Sequence, residues 1–149
     1  MEYRRKKNRL DLSLYKERRG FFFTITTRNR TKIFLDKKII DNLVEILKNI
    51  SEKEKWFVHA YCFMPNHVHL VVIPEREDSL ARAIGEAHKA YTRAMNLRLG
   101  VRGYLFQGRF FSCPMDDRYA MAATAYAERN PVRAGMVDSP WKYLWSSAG

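Results

Sequence analysis

Cysteine is scarce in this chain. Only Cys62 and Cys113 occur in 149 residues, and neither has a second cysteine at Cys-x-x-Cys spacing. That pattern excludes a disulfide framework and a zinc knuckle, and it fits reduced thiols in the cytoplasm. Long apolar runs are also missing, and none approaches the roughly 20 residues that span a bilayer. The opening stretch "MEYRRKKNRL" has charges but no apolar core behind them, so it does not read as a signal peptide. A cytoplasmic protein without membrane association is the expectation. Low-complexity tracts are absent too. With 46% hydrophobic and 13% aromatic residues, the composition is that of a folded chain.

Acidic residues are in short supply. There are 27 Lys and Arg against 16 Asp and Glu, a net charge of +11. Residues 1–32 hold 11 of the basic and 3 of the acidic side chains, or +8, which leaves +3 for the rest. A basic arm on a nearly balanced body points to a polyanionic partner, with nucleic acid ahead of an anionic membrane surface. Arg4, Arg5, Lys6, Lys7 and Arg9 carry the arm, over residues 1–19. Arg28, Arg30 and Lys32 extend it. Such side chains meet phosphates without reading bases.

Periodicity predicts the elements. "GFFFTITTRN" (20–29) is rich in aromatic and β-branched residues and reads as a strand. "DKKIIDNLVEILKNI" (36–50) has its apolar residues at helical spacing, with Asp36 as N-cap. "WFVHAYCFM" (56–64) and "HVHLVVI" (67–73) are strands joined by the turn "PN", which makes an antiparallel hairpin. Residues 78–99 form a long helix capped by Asp78 or Ser79, striped by Ile84, Ala87, Tyr91 and Met95, and stopped by Gly100. "LFQGRFFSCPM" (105–115) reads as a broken strand or loop. "DDRYAMAATAYAERN" (116–130) is a third helix, halted by Pro131. The order β-α-β-β-α-β-α predicts one α+β domain over residues 1–149. It is a ferredoxin-like split βαβ with a central antiparallel sheet and an additional C-terminal helix. Fold alone says little about function.

Two of the four histidines, His67 and His69, sit two apart in "MPNHVHLVV". In a strand such residues share a face, about 7 Å apart at the backbone, so their imidazoles can converge on one ion. The strand is apolar on both faces, which places it centrally in the sheet and puts the pair at a cleft. A His-x-His tripeptide alone is short and common. It can equally be a pair of half-exposed rings bonded to backbone. His59 and His88 are read as structural. Imidazole chemistry by itself favours zinc.

In "YAERNPVRAG" (126–135), Tyr126 and Asn130 are four apart and lie on one helical face. The small residues before them let such a helix approach a sheet closely. Pro131 disfavours helical geometry at Asn130 and threatens to swing it off that face. Tyr91 and Tyr119 are rival tyrosines, Tyr91 at a core stripe position.

At "MPNHVHLVV" and "YAERNPVRAGMV" the chain resembles the single-tyrosine HUH transposases, in particular the REP-associated tyrosine transposases. "YRR", "FFFTITTRN", "GYLFQGRF" and "WKYLWSSA" extend the resemblance, in order, along nearly the whole chain. The resemblance implies His67, His69 and Asn130 as metal ligands, Mg2+ or Mn2+ as cofactor, and Tyr126 as nucleophile. The tyrosine is followed by Ala127, where relatives carry a bulkier residue. The implied activity is cleavage and rejoining of single-stranded, hairpin-forming DNA through a 5′-phosphotyrosine. A free phenol, with a pKa of about 10, is a poor nucleophile and needs help to ionise. Arg109 and Arg133 join the candidate DNA contacts by their place in the order of motifs. Phe21, Phe22, Phe110 and Trp145 are available for base stacking, but core packing explains each as well. The wider family includes monomers and homodimers that trade the tyrosine helix, and both remain open. Two further functions are compatible with the residues. One is a non-catalytic nucleic-acid-binding module. The other is a metal-dependent phosphoesterase that uses water.

Overall fold

The structure is a computed structural model that describes residues 19–76, 79–100, 102, 103, 106 and 111–149. The arm residues Arg4, Arg5, Lys6, Lys7 and Arg9 lie outside the described residues, as do Asp78, Arg109 and Phe110.

Seven elements follow the predicted order. They are β1 (Gly20–Thr26), α1 (Lys37–Glu54), β2 (Trp56–Met64), β3 (His67–Pro74), α2 (Ser79–Leu99), β4 (Phe111–Met115) and α3 (Asp117–Arg133). The strands form one antiparallel sheet in the order β2-β3-β1-β4. This is the ferredoxin-like arrangement expected from the sequence, and β3 is central as its apolar faces require.

The alternation along each strand sorts the two faces. Phe21, Phe23 and Ile25 of β1 and Val68, Leu70 and Val72 of β3 face α1 and α2 and build the main core. The opposite face carries Phe22, Ala60, Val71 and Met115, and the small residues Ala120 and Ala123 of α3 pack on it. Ala127 is fully buried there, so a residue without bulk lets the helix lie close to the sheet.

Local chemistry explains the helix ends. Asp36 caps α1, its carboxylate accepting the N–H of Lys38 at 2.7 Å and of Ile39 at 3.4 Å. α1 runs one turn further than periodicity suggested, to Glu54. Gly100, at φ +64, ends α2 in the left-handed region that glycine tolerates. Pro131 does not halt α3, which continues through it to Arg133, and Ala134 N–H still donates to Asn130 O at 2.9 Å. The clash that proline brings was absorbed within the last turn, and Asn130 keeps its helical place one turn after Tyr126.

The aromatic tail packs on the body along the outer edge of β2. Phe63 N–H donates to Trp145 O (2.8 Å), and Ser147 N–H donates to Tyr61 O (3.0 Å). The Tyr143 hydroxyl donates to Phe63 O, and the Ser147 hydroxyl donates to the Glu128 carboxylate of α3 at 2.8 Å.

Candidate active site

The β2–β3 turn and the chain leaving β1 are stitched together. Thr27 N–H donates to Asn66 O (3.0 Å), and Ile33 and Phe34 N–H both donate to Pro65 O. The turn at Arg28–Arg30 holds Asn29 and Arg30 at φ 55 and 52, the left-handed region that side chains avoid. Backbone strain of this kind concentrates at functional sites. Its effect here is to present Arg28, Arg30 and Lys32, all exposed, at the edge of the sheet where β3 begins. Thr26 pairs with His67 across that edge.

His67 and His69 share a face as their spacing predicts. Their ring centroids are 4.7 Å apart, with planes at 78°. A turn residue holds one ring and a cross-strand neighbour the other. His67 Nδ1 lies 2.7 Å from Asn66 Oδ1, and His69 Nδ1 lies 3.0 Å from Thr24 Oγ1. The Phe22 ring stacks on His69 at 5.4 Å with planes 18° apart.

Burial makes both imidazoles weak bases. It pushes His69 down to about 4, with the neighbouring His67 as a lesser cause. His67 is also lowered, by burial first and by the charge of Arg30 second. At neutral pH both rings are therefore uncharged, the form that binds metals. His69 Nε2 is buried and has no hydrogen-bond partner. A buried polar atom left unpaired is costly, and a divalent ion would satisfy it. Among the described residues no group of three His, Cys, Asp or Glu could hold a metal. A third protein donor would have to be of another kind, such as a carboxamide.

α3 brings the tyrosine to the pair. The Tyr126 ring stands edge-on to His69 at 5.5 Å and to Phe22 at 5.9 Å. It remains 41% exposed, so its hydroxyl can meet a substrate. The guanidinium of Arg133, two turns along the same helix, sits over its ring face at 5.1 Å from the centroid.

The other sequence candidates separate cleanly. Tyr91 is buried on the far face of the sheet, where burial raises its pKa and its hydroxyl donates to Leu43 O at 3.1 Å. Tyr119 is exposed on α3, two turns or about 10 Å before Tyr126. His88 stacks on Phe106 at 5.0 Å, under α2. His59 is exposed at a bulge in β2. Phe21 is core. Trp145 packs edge-on against Tyr143 at 5.6 Å. Asn130 is half-buried on α3.

Three contributors were not singled out as partners of the histidines: Thr24, Asn66 and the stacking face of Phe22. For Thr24 and Phe22 register was the missing signal, whereas Asn66 stands next to His67 in the turn already read from the sequence. Thr24 pairs with His69 only once β1 is aligned antiparallel to β3, and Phe22 follows two residues away on the same face.

Comparison with known proteins bears on the family and the fold. The profile of the family described as "Transposase IS200 like" matches residues 20–130. No curated protein matches the chain. Among solved structures, the chain is similar to a REP-associated tyrosine transposase bound to a REP hairpin. That match has a TM-score of 0.75 and 21% identity, over 99% of this chain and 82% of the other. It is also similar to a putative transposase from Deinococcus radiodurans R1, with a TM-score of 0.56 and 18% identity, over 74% of this chain and 88% of that one.

Proposed function

We propose a function from one premise: this chain belongs to the family of IS200-like transposases. It cleaves and rejoins single-stranded DNA through a covalent bond between Tyr126 and a 5′-phosphate. The observation that carries this reading is the approach of the Tyr126 ring to within 5.5 Å of the His69 ring in the same chain.

His67 and His69, through their ring nitrogens, and Asn130, through its amide oxygen, would hold a divalent cation. The oxygen donors, with those of the substrate phosphate, favour Mg2+ or Mn2+ over zinc. Held there, an ion would supply Lewis-acid polarisation of the scissile phosphate and would offset charge in the transition state.

The protein's own groups do the rest. Tyr126 Oη gives up its phenol proton to solvent and attacks phosphorus in line, and the proton lost here balances the one that the 3′ oxygen gains. The Oη–P bond forms as the P–O3′ bond breaks, and the freed 3′ oxygen takes up a proton. The phosphate stays on Tyr126, and the energy of the broken link stays with it. A second 3′-OH attacks the same phosphorus, releases the tyrosine and joins a new strand without ATP. Phe22 and His69, stacked on each other, both contact the phenol ring, which limits the orientations from which Oη can attack. Arg133 places positive charge over the ring, where an incoming phosphate must pass.

Arg28 and Arg30, on the strained turn beside His67, contact the phosphates next to the scissile one. By charge alone, Arg109 and the arm residues Arg4, Arg5, Lys6, Lys7 and Arg9 add further phosphate contacts. The structural neighbour bound to a REP hairpin supports hairpin-forming DNA as the substrate. The meeting of the Tyr126 and His69 rings within one chain supports a monomer acting in cis.

Labelled single-stranded hairpins incubated with Mn2+ or Mg2+ and run on a denaturing gel test this reading. The expected result is a protein–DNA adduct that EDTA abolishes and Tyr126→Phe reduces at least about 1,000-fold. Cleavage that survives Tyr126→Phe would point instead to a water-using phosphoesterase. Binding without cleavage, indifferent to EDTA, would leave a binding module.

A further inference from the structure

The unused groups nearest the site are Thr24 and Asn66. Each touches one imidazole, and each touches it at the same atom. Asn66 Oδ1 lies 2.7 Å from His67 Nδ1, and Thr24 Oγ1 lies 3.0 Å from His69 Nδ1. The two contacts reach the pair from different segments, the β2–β3 turn and the neighbouring strand β1.

We infer that Thr24 and Asn66 are positioning residues that fix both histidines as Nδ1–H tautomers and so present the two Nε2 atoms to one cation. The inference rests on the metal pair of the proposed function, and it adds which nitrogen binds and what sets it. A carboxamide oxygen only accepts, so the contact to Asn66 requires His67 Nδ1 to donate. That leaves the lone pair on Nε2. A threonine hydroxyl both donates and accepts, so Thr24 alone does not choose a tautomer. The surroundings of Nε2 do. On His69 that atom is buried and without a partner. If it carried the proton, it would be a stranded donor that no cation can satisfy. If Nδ1 carries it, Nε2 is a lone pair ready for an ion.

Geometry supports the same division of labour. Thr24 sits on the strand partner of His69, so the sheet's own ladder sets the distance between hydroxyl and ring. Phe22, two residues away on the same face, blocks ring rotation by stacking. Asn66 is anchored through its backbone oxygen, which accepts from Thr27 N–H. Outer-shell partners of this kind fix ring orientation at metal sites and typically change metal affinity 10- to 100-fold when removed.

The test uses the full chain with 15N-labelled histidine, in EDTA, at a pH where the rings are neutral. Long-range proton–nitrogen spectra report the tautomer of each ring directly. Wild type is expected to show Nδ1–H at both His67 and His69. Thr24→Val keeps the shape but loses the hydroxyl. It should leave His69 a mixture of tautomers and weaken Mn2+ binding, measured calorimetrically, by about 10- to 100-fold. Thr24→Ser should retain wild-type behaviour within about threefold. Asn66→Ala should do to His67 what Thr24→Val does to His69. A wild-type His69 protonated on Nε2, or a Thr24→Val variant with unchanged spectra and unchanged Mn2+ affinity, overturns the inference and leaves the tyrosine chemistry standing. If both rings are Nδ1–H, shift in the variants, and yet wild type binds no Mn2+, the positioning stands and the metal reading of the proposed function fails.

Discussion

The ring of Tyr126 meets the imidazole of His69 edge-on, with planes at 74°, and both belong to one chain. Helix exchange between subunits is therefore unnecessary to bring these two rings together. Mixing a His69→Ala variant with Tyr126→Phe should restore no adduct beyond the sum of the two alone. Recovery of activity toward that of wild type in the mixture would show that subunits trade α3.

Phe22 serves both rings at once, stacking on one and receiving the edge of the other. Phe22→Ala should cost about 1–3 kcal/mol in urea unfolding, below the range for a fully buried phenylalanine because the side chain is half-exposed. Adduct formation should fall further than that loss explains, since folded protein would still have a freer Tyr126. Equal rates per folded molecule would show that Phe22 does not orient the phenol.

Both site histidines titrate below the ordinary value of 6.5 when folded, His69 at about 4. Between those pH values the unfolded chain binds more protons than the folded one, so stability rises with pH. The metal-free protein in EDTA should be at full stability above about pH 6.5 and lose it progressively as pH falls toward 4. His69 contributes up to about 3 kcal/mol of that loss. Urea titrations across this range check the slope, and His69→Gln should flatten it. An unchanged acid limb in the variant would contradict the assignment.

Arg28 and Arg30 lie on an exposed turn and are proposed to meet phosphates rather than bases. Alanine at either position should weaken binding of all single-stranded hairpins by similar factors. It should also reduce the slope of log affinity against log salt by about 0.7. A loss confined to one DNA sequence would assign base reading to the arginine instead.

Local chemistry was legible in the sequence; pairing was not. The Asp36 cap, the Gly100 stop and the shared face of His67 and His69 follow from one segment each, and all three appear as expected. Tyr126 could be placed on a helix, but nothing within that helix says which sheet face receives it. The small residues that allow the close approach show only as a tendency. Thr24 reaches His69 from a strand whose register depends on the whole sheet, while Asn66 contacts its own sequence neighbour His67. Pro131 misled because the rule it follows is a local penalty. One turn of helix packed against the body, with Pro131 itself buried, outweighs that penalty.

The strip of chain from Tyr143 to Ser147 has a consequence for solubility. An unpaired strand edge is a template on which other chains add. By satisfying Phe63 N–H and both backbone groups of Tyr61, the strip removes the β2 margin from that hazard. A version of the protein shortened by those residues would offer an open ladder beside Cys62 and Met64, both now hidden. It would be drawn into self-association before any defect in its chemistry could be measured.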